Sequence, residues 1–385
     1  MKLKFKLKKI SFSNLIYLVS LSIYTTLKLV SSTFFGAIPL TRTIILFLTA
    51  LILIADTAIT RITMKSFLAV FICILITIVG IINGNDVFVI CTPSFIYCAR
   101  NKDFEKIAKT GLYSSIICLV FVILCSNFNI ILDYVFYMNG RVRHTLGFRY
   151  VLMPPAIYKN IVLLKLYLDK ENIKWRSIII MTIINFYFFY LTDSRLSFFL
   201  TCLALLLGVF FKVFPNCLER LNVTRRCMVL SPIICSFVSL FITANYKINP
   251  YLITLNSLLG YRLSMGKAAL ESYGISLFGS KLDMVGNGLS VDGVMNTRIH
   301  NYIDCSYVQF LLNYGVVSYF LVIVVFSYAI FNSSKKKDYY MLLVLTIIAG
   351  HMMIDDYAIH LGFNTFILAL GTLCFKNNTF LRKTE

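Results

Sequence analysis

Apolar residues run along this chain in long blocks, and the short polar segments between them carry most of the charge. Blocks near the roughly 17 to 25 residues that cross a bilayer as a helix fall at 12–30, 43–60, 66–83, 87–99, 111–132, 150–168, 177–192, 196–214, 227–245, 305–330, 339–356 and 358–375. Of these, 87–99 and 177–192 are the shortest. The blocks lack the period-two alternation of an outer-membrane barrel, and an open strand would leave backbone groups unpaired in hydrocarbon. The pattern predicts an all-α fold: a polytopic integral membrane protein of about twelve transmembrane helices. It forms a single membrane domain over 1–385.

Composition and charge then set the orientation. Hydrophobic residues make up 58% of the chain and charged residues 14%, with a mean hydropathy of +0.80, whereas a soluble domain carries about a quarter charged residues. Every second polar segment is short and basic: Arg61 with Lys65, RNKDFEKIAK, DKENIKWR, the stretch holding Arg220, Arg225 and Arg226, SSKKKD, and the tail with Lys376, Arg382 and Lys383. With the basic leader MKLKFKLKKI, which suits an anionic leaflet, these segments place both termini in the cytoplasm. No small-residue cleavage site follows 12–30, so this block reads as a retained first helix. The threading leaves Arg42, Arg141, Arg143, Arg149, Arg195, Lys247, Arg262, Lys267, Lys281 and Arg298 outside, against the usual bias of basic residues. A cationic outer cavity implies an anionic ligand.

Two extracytoplasmic segments are long enough to carry chemistry. The first, 133–150, is a basic loop with Arg141, Arg143 and His144; the second, 246–304, lies between spans nine and ten. In the second, NSLLGYRLSMGKAALESYG reads as a helix in which Gly266 follows Arg262 by one turn and leaves space beside the guanidinium. The glycine-rich stretch after it, ISLFGSKLDMVGNGLSVDGVMNTR, suits a mobile cover. If span ten begins as early as RIHNYID, then His300, Asp304 and Tyr307 share a helix face directed toward the arginines. In LTDSRLSFF two helices meet almost without a loop, which would hold Asp193 and Arg195 rigidly as an anion clamp. GHMMIDDYAIHLGFN puts His351, Asp355 and Asp356 at or below the same surface. Lys159 stands out as an ionisable residue within a span, after Pro154 and Pro155, which are expected to kink it. Arg42, in the first short outer loop, is expected to tolerate alanine.

Other chemistries lack their motifs. The eleven cysteines lie mostly in or beside the spans and pack as small hydrophobes, and without CxxC, HExxH or a His/Cys cluster no zinc or redox site is expected. There is no Walker A or GxGxxG sequence, and the cytoplasmic loops are too short for a nucleotide-binding domain. Topology signals and outer cations account for most of the net charge of +20, so nucleic acid is not implied.

The order of several segments resembles a known family. RVRHTLGF precedes a proline-containing span, TDSR sits at a helical hairpin, YRLSMGKAAL and LFG open the large outer loop, and the chain re-enters as DCSYVQFLLNYGVV. This combination is similar to the O-antigen and capsular polysaccharide polymerases (Wzy-type), related to the O-antigen ligases, across most of the chain. It departs where the family often continues RHTLGF with a His-Pro-Asn-like triplet; here RYVLMPP follows, and no role tied to that triplet is carried over.

The resemblance implies a multi-pass glycosyltransferase of the cytoplasmic membrane. It would join oligosaccharide repeat units carried on undecaprenyl pyrophosphate at the outer face, without a cofactor, metal or nucleotide sugar. Its partners would be membrane lipid and the flippase and chain-length regulator of the same pathway. Arg141, Arg143, Arg195 and Arg262, with Tyr307, are then the expected substrate-binding residues, because fixed guanidiniums stabilise a departing pyrophosphate. The acceptor hydroxyl must lose a proton as it attacks, and His300, Asp304 and His144 are the expected catalytic groups, with Asp193 a further candidate. A ligase shares the donor chemistry and differs in acceptor. A lipid-linked oligosaccharide flippase or other transporter would show internal repeats and charge at the midplane, and no repeat is visible in the sequence.

Overall fold

The computed structural model describes residues 2–36, 38–58, 63–138, 140–215, 217–220, 222–247 and 249–376; Arg61, Arg382 and Lys383 lie outside them. The protein is mostly helical. Its elements are α1 (Lys2–Ser31), α2 (Thr41–Thr57), α3 (Met64–Ile82), α4 (Val87–Ala99), α5 (Phe104–Asn127), β1 (Val135–Met138), β2 (Arg141–His144) and α6 (Met153–Asp169). There follow α7 (Trp175–Thr192), α8 (Arg195–Val213), α9 (Cys217–Arg220), α10 (Asn222–Ala244), α11 (Pro250–Leu258), α12 (Arg262–Tyr273), α13 (Ser306–Lys335), α14 (Tyr339–His351) and α15 (Ala369–Cys374). Among the described residues, six helices are long and apolar enough to cross a membrane: α1 over Phe12–Ser31, α5, α7, α8, α10 and α13. Shorter apolar helices accompany them in α3, α4, α14 and Thr365–Cys374.

The long apolar helices are apolar on both faces, which is the signature of lipid contact rather than of an aqueous surface. Along α2, Ile45, Leu48 and Ile52 turn inward while Leu46, Phe47 and Ile54 are exposed; along α3, Ala69, Ile72 and Val79 are buried while Phe67, Phe71, Ile74 and Ile78 face out. This is the surface of a helical membrane protein. Helix α5 packs between α1 and α6, α6 also packs on α8, and α10 lies against both α13 and α14. Starts are marked by side-chain caps, as where Asp103 accepts from Glu105 N–H before α5 and Asn249 accepts from Tyr251 N–H before α11.

Several local expectations are corrected. Pro154 and Pro155 occupy the first turn of α6, where no intrahelical N–H is needed, so they start the helix instead of kinking it. The last apolar block, 358–375, is not one helix: 3₁₀ turns at Tyr357–Ile359 and Thr365–Leu368 precede the short α15. The basic loop at 133–150 folds as an antiparallel hairpin, with Phe136 opposite Arg143 and Met138 opposite Arg141, so the all-α expectation misses one small sheet. The segment read as one helix around Arg262 breaks at Gly260 and Tyr261, both at positive φ, and Arg262 becomes the first residue of α12.

The glycine-rich stretch is only partly a loose cover. Helix α13 is interrupted at Gly315, where φ is 76°, and the segment Ser276–Ser280 fills the gap. Val316 N–H donates to the Ser276 carbonyl (3.0 Å), Val317 N–H to Leu277 (3.3 Å), and Ser280 N–H to the Leu312 carbonyl (2.9 Å). Gly279, with φ +75°, faces the Asn313 carbonyl, and Gly315 faces the backbone of Leu277 and Gly279. A Cβ on either residue would collide with backbone, so the LFG and NYGVV segments are two halves of one contact. A broken helix of this kind is tolerated at membrane depth only where protein re-satisfies its backbone.

Candidate active site

The long polar segments gather at one end of the helix bundle, here called the loop-rich end. Alternation along β2 puts Arg141 and Arg143 on one face, and the strand rests against α7. Arg143 Nε–H donates to the Thr192 carbonyl (2.8 Å), while Arg141 Nε lies 3.1 Å and Arg195 Nε 3.6 Å from the Asp193 carboxylate. Asp193 takes a left-handed conformation at the end of α7, and Arg195 opens α8 two residues later. Two guanidiniums thus pair with one carboxylate while a third sits beside them on Thr192, leaving a local positive excess. The rigid member is Arg143, whose burial pulls its pKa down; Arg195 has a fixed backbone, but its side chain is 60% exposed.

The second group joins the start of α12 to the end of the 246–304 segment. Arg262 Nε lies 3.0 Å from Asp304 Oδ2, with both side chains mostly buried. The Nε–H is off the line of a hydrogen bond, and Nη1 donates to the Leu259 carbonyl (3.0 Å), so the contact is a one-point ion pair rather than a fork. Burial pushes the Asp304 carboxyl up to about 7; Arg262 opposes the rise, and Asp355 and Asp356 add to it. Tyr150 connects the two groups, because it stands within electrostatic reach of Arg143, Arg262, Asp304 and Asp355. The arrangement pairs clustered positive charge with a carboxyl that changes protonation near neutral pH.

Beneath Asp304 runs a buried polar chain. The Tyr302 hydroxyl donates to Asp356, whose carboxylate is 3.4 Å from His360 Nε2. Lys159 Nζ lies 2.9 Å from His351 Nε2, and His351 lies 3.6 Å from Asp355. Lys159, His351, Asp355 and Asp356 are all nearly inaccessible. The Asp355 carbonyl also accepts from Ser306 Oγ (2.6 Å), which ties the chain to the first residue of α13.

The remaining predicted residues go elsewhere. Residues 300–305 are not helical and α13 starts at Ser306, so His300, Asp304 and Tyr307 do not share a helix face. His300 Nδ1 is 2.8 Å from the Val285 carbonyl. Tyr307 is buried and its hydroxyl donates to the Ala349 carbonyl (2.9 Å), away from the arginines. His144 Nδ1 is 2.7 Å from Asp133, which also accepts from Leu146 N–H, so this histidine staples the base of the hairpin. Gly266 leaves no space beside Arg262: its missing Cβ would stand 2.9 Å from Thr243, which lets α12 approach α10. The residue before α13 is Cys305, which makes no capping side-chain bond.

Tyr150 and Tyr302 are the participants that sequence reading overlooked. Aromatic residues near a span edge normally read as interfacial belt, and only their carboxylate and guanidinium neighbours set these two apart. Comparison of the chain with family models, with curated proteins and with solved structures finds no match.

Proposed function

We propose that this protein is a polysaccharide polymerase, a glycosyltransferase that joins undecaprenyl-pyrophosphate-linked oligosaccharide repeats at the outer face of the cytoplasmic membrane. The observation that carries the reading is Asp304: a carboxyl held near neutrality, 3.0 Å from the Arg262 guanidinium, with Tyr150 in electrostatic reach of both this pair and Arg143. The acceptor hydroxyl oxygen attacks the sugar C1 and passes its proton to Asp304. The C1–O bond to pyrophosphate breaks, and its electron pair leaves with the phosphate. A base whose pKa lies close to working pH is best matched to the first event, and fixed guanidiniums in a partly dry site are matched to the second. The reading includes about twelve spans, cytoplasmic termini and an extracytoplasmic 246–304 segment. A ligase-like transferase would use the same donor chemistry with another acceptor.

One observation favours a second reading. The buried Lys159–His351–Asp355 chain is the kind of interior charge that a lipid-linked oligosaccharide flippase would require. Deleting the gene and analysing the surface glycan separates the two. Accumulation of single lipid-linked repeats exposed outside, with loss of long polymer, supports the polymerase; repeats trapped on the cytoplasmic leaflet support the flippase.

A further inference from the structure

A second cationic place lies away from the Arg262–Asp304 centre. At the loop-rich end a cavity of about 770 Å³ opens between the end of α1, the start of α2 and the turn from α3 to α4, and it is lined by Lys28, Arg42 and Arg149 with the single acid Asp86. Lys28 pairs with Asp86 at 3.2 Å, while among the described residues Arg42 and Arg149 have no carboxylate partner. Arg149 is anchored through Nη2 to the Ser31 carbonyl (2.7 Å), and its buried Nε has no hydrogen-bond partner. The stem of Lys281 packs over Gly84 at the same rim.

Helix α4 packs against both α2 and α3, and these three helices line a second cavity of about 590 Å³, walled mainly by Leu53, Phe67, Val70, Ile74 and Ile78, with Thr57, Ser94 and the Asp56-paired Arg100 also in its wall. Phe67, Ile74 and Ile78 are exposed on the lipid-facing side. Positive charge at one end and an apolar furrow below it match an amphiphile with an anionic head and a hydrocarbon tail. The 17 residues of α2 extend about 25 Å, more than the roughly 15 Å depth of one leaflet's hydrocarbon.

We infer that the crevice between α2 and α3, floored by α4, binds an anionic phospholipid, with its phosphate between Arg42 and Arg149 and an acyl chain along the furrow. The expectation that Arg42 tolerates alanine is thereby restricted to glycosyl transfer and does not extend to lipid binding.

The test uses the full-length protein in detergent and a phosphatidylglycerol probe with a photoreactive group in its acyl chain, and crosslinked residues are mapped by mass spectrometry. Adducts should concentrate on the furrow residues of α2, α3 and α4. Unlabelled phosphatidylglycerol should compete, and neither phosphatidylcholine nor inorganic phosphate at the same concentration should do so. Arg42→Glu with Lys281→Glu, both at exposed side chains without a carboxylate partner, should lower adduct yield about tenfold or more, on the scale of membrane attraction per basic residue. Arg149→Gln should lower it as well, and melting in phosphatidylcholine micelles checks that each variant is folded. Unchanged yield in the folded double variant overturns the inference, as does equal competition by phosphatidylcholine. Competition by inorganic phosphate as strong as by the lipid makes the cavity a free-anion site and overturns it too. None of these readouts involves saccharide transfer, so the outcome is independent of the proposed activity.

Discussion

Arg262 and Asp304 are far apart in the chain, yet Nε and Oδ2 are 3.0 Å apart. The pair closes the loop on itself just above α13, and it sets the protonation of the carboxyl on which the proposed chemistry depends. Burial raises the Asp304 pKa and Arg262 holds part of that rise back.

Removing Arg262 therefore has a signed consequence. Without the guanidinium, the Asp304 pKa climbs above about 7, less carboxylate is present at neutral pH, and the rising limb of the pH–rate profile moves to higher pH. Arg262→Lys should recover only part of the roughly 10²-fold loss in kcat/KM expected at pH 7 for Arg262→Ala, because an ammonium keeps the charge but cannot also hold the Leu259 carbonyl that Nη1 engages. Arg195→Ala, at the exposed edge of the cluster, should cost less. Steady-state kinetics across pH 6 to 9 checks the order.

The contact between Gly279 and Gly315 predicts a structural defect. Alanine at either position would meet backbone atoms in a left-handed conformation, so each substitution should cost more than the roughly 1–2 kcal/mol of the backbone strain alone. Gly274 also has positive φ but no neighbour within 4 Å, so Gly274→Ala should show the strain alone. Melting temperatures of the three purified variants provide the measurement. Equal losses at all three positions would remove the interlock.

Much of this architecture is legible in the sequence. Apolar blocks locate the helices because a bilayer requires continuous apolar length, and TDSR marks the two-residue turn between α7 and α8. What is not legible depends on distant partners. Nothing local says that Arg143 would find Thr192, that Arg262 would find Asp304, or that Leu277–Gly279 would fill a break in α13. Periodicity misleads at His300 and Tyr307 because the helix starts later than the pattern suggests. Proline misleads at α6 because a kink inside a helix and the first turn of one use the same residue.

The buried ionic chain gives a test of coupling. Lys159→Met should destabilise the protein by about 3–5 kcal/mol by removing the cation that faces Asp355 across His351. Adding Asp355→Asn should restore a substantial share, a non-additivity expected of groups in one network. Thermal inactivation of the single and double variants reads this directly. Strictly additive losses would mean that the two residues act separately.

Orientation is tested by reporter fusions. Fusions after Lys109, Lys174, Arg226 and Lys337 should report cytoplasm, and fusions near Gly140 and Asn287 should report the exterior, from the alternation of basic segments. A cytoplasmic signal at Asn287 reverses the orientation and removes the candidate site from the outer face.

The central claim is that Asp304 takes the acceptor proton. Its most direct test is the pH–rate profile of the purified protein on undecaprenyl-pyrophosphate-linked repeats, for wild type, Asp304→Asn and His300→Gln. Because the carboxylate is the active form, wild-type kcat/KM should rise with pH through about 7 and level off above it. Asp304→Asn should lose about 10²-fold or more together with that ascending limb. His300→Gln, whose parent ring rests on the Val285 carbonyl, should keep the limb. Wild-type turnover in Asp304→Asn, or a limb that disappears with His300 and not with Asp304, contradicts the account.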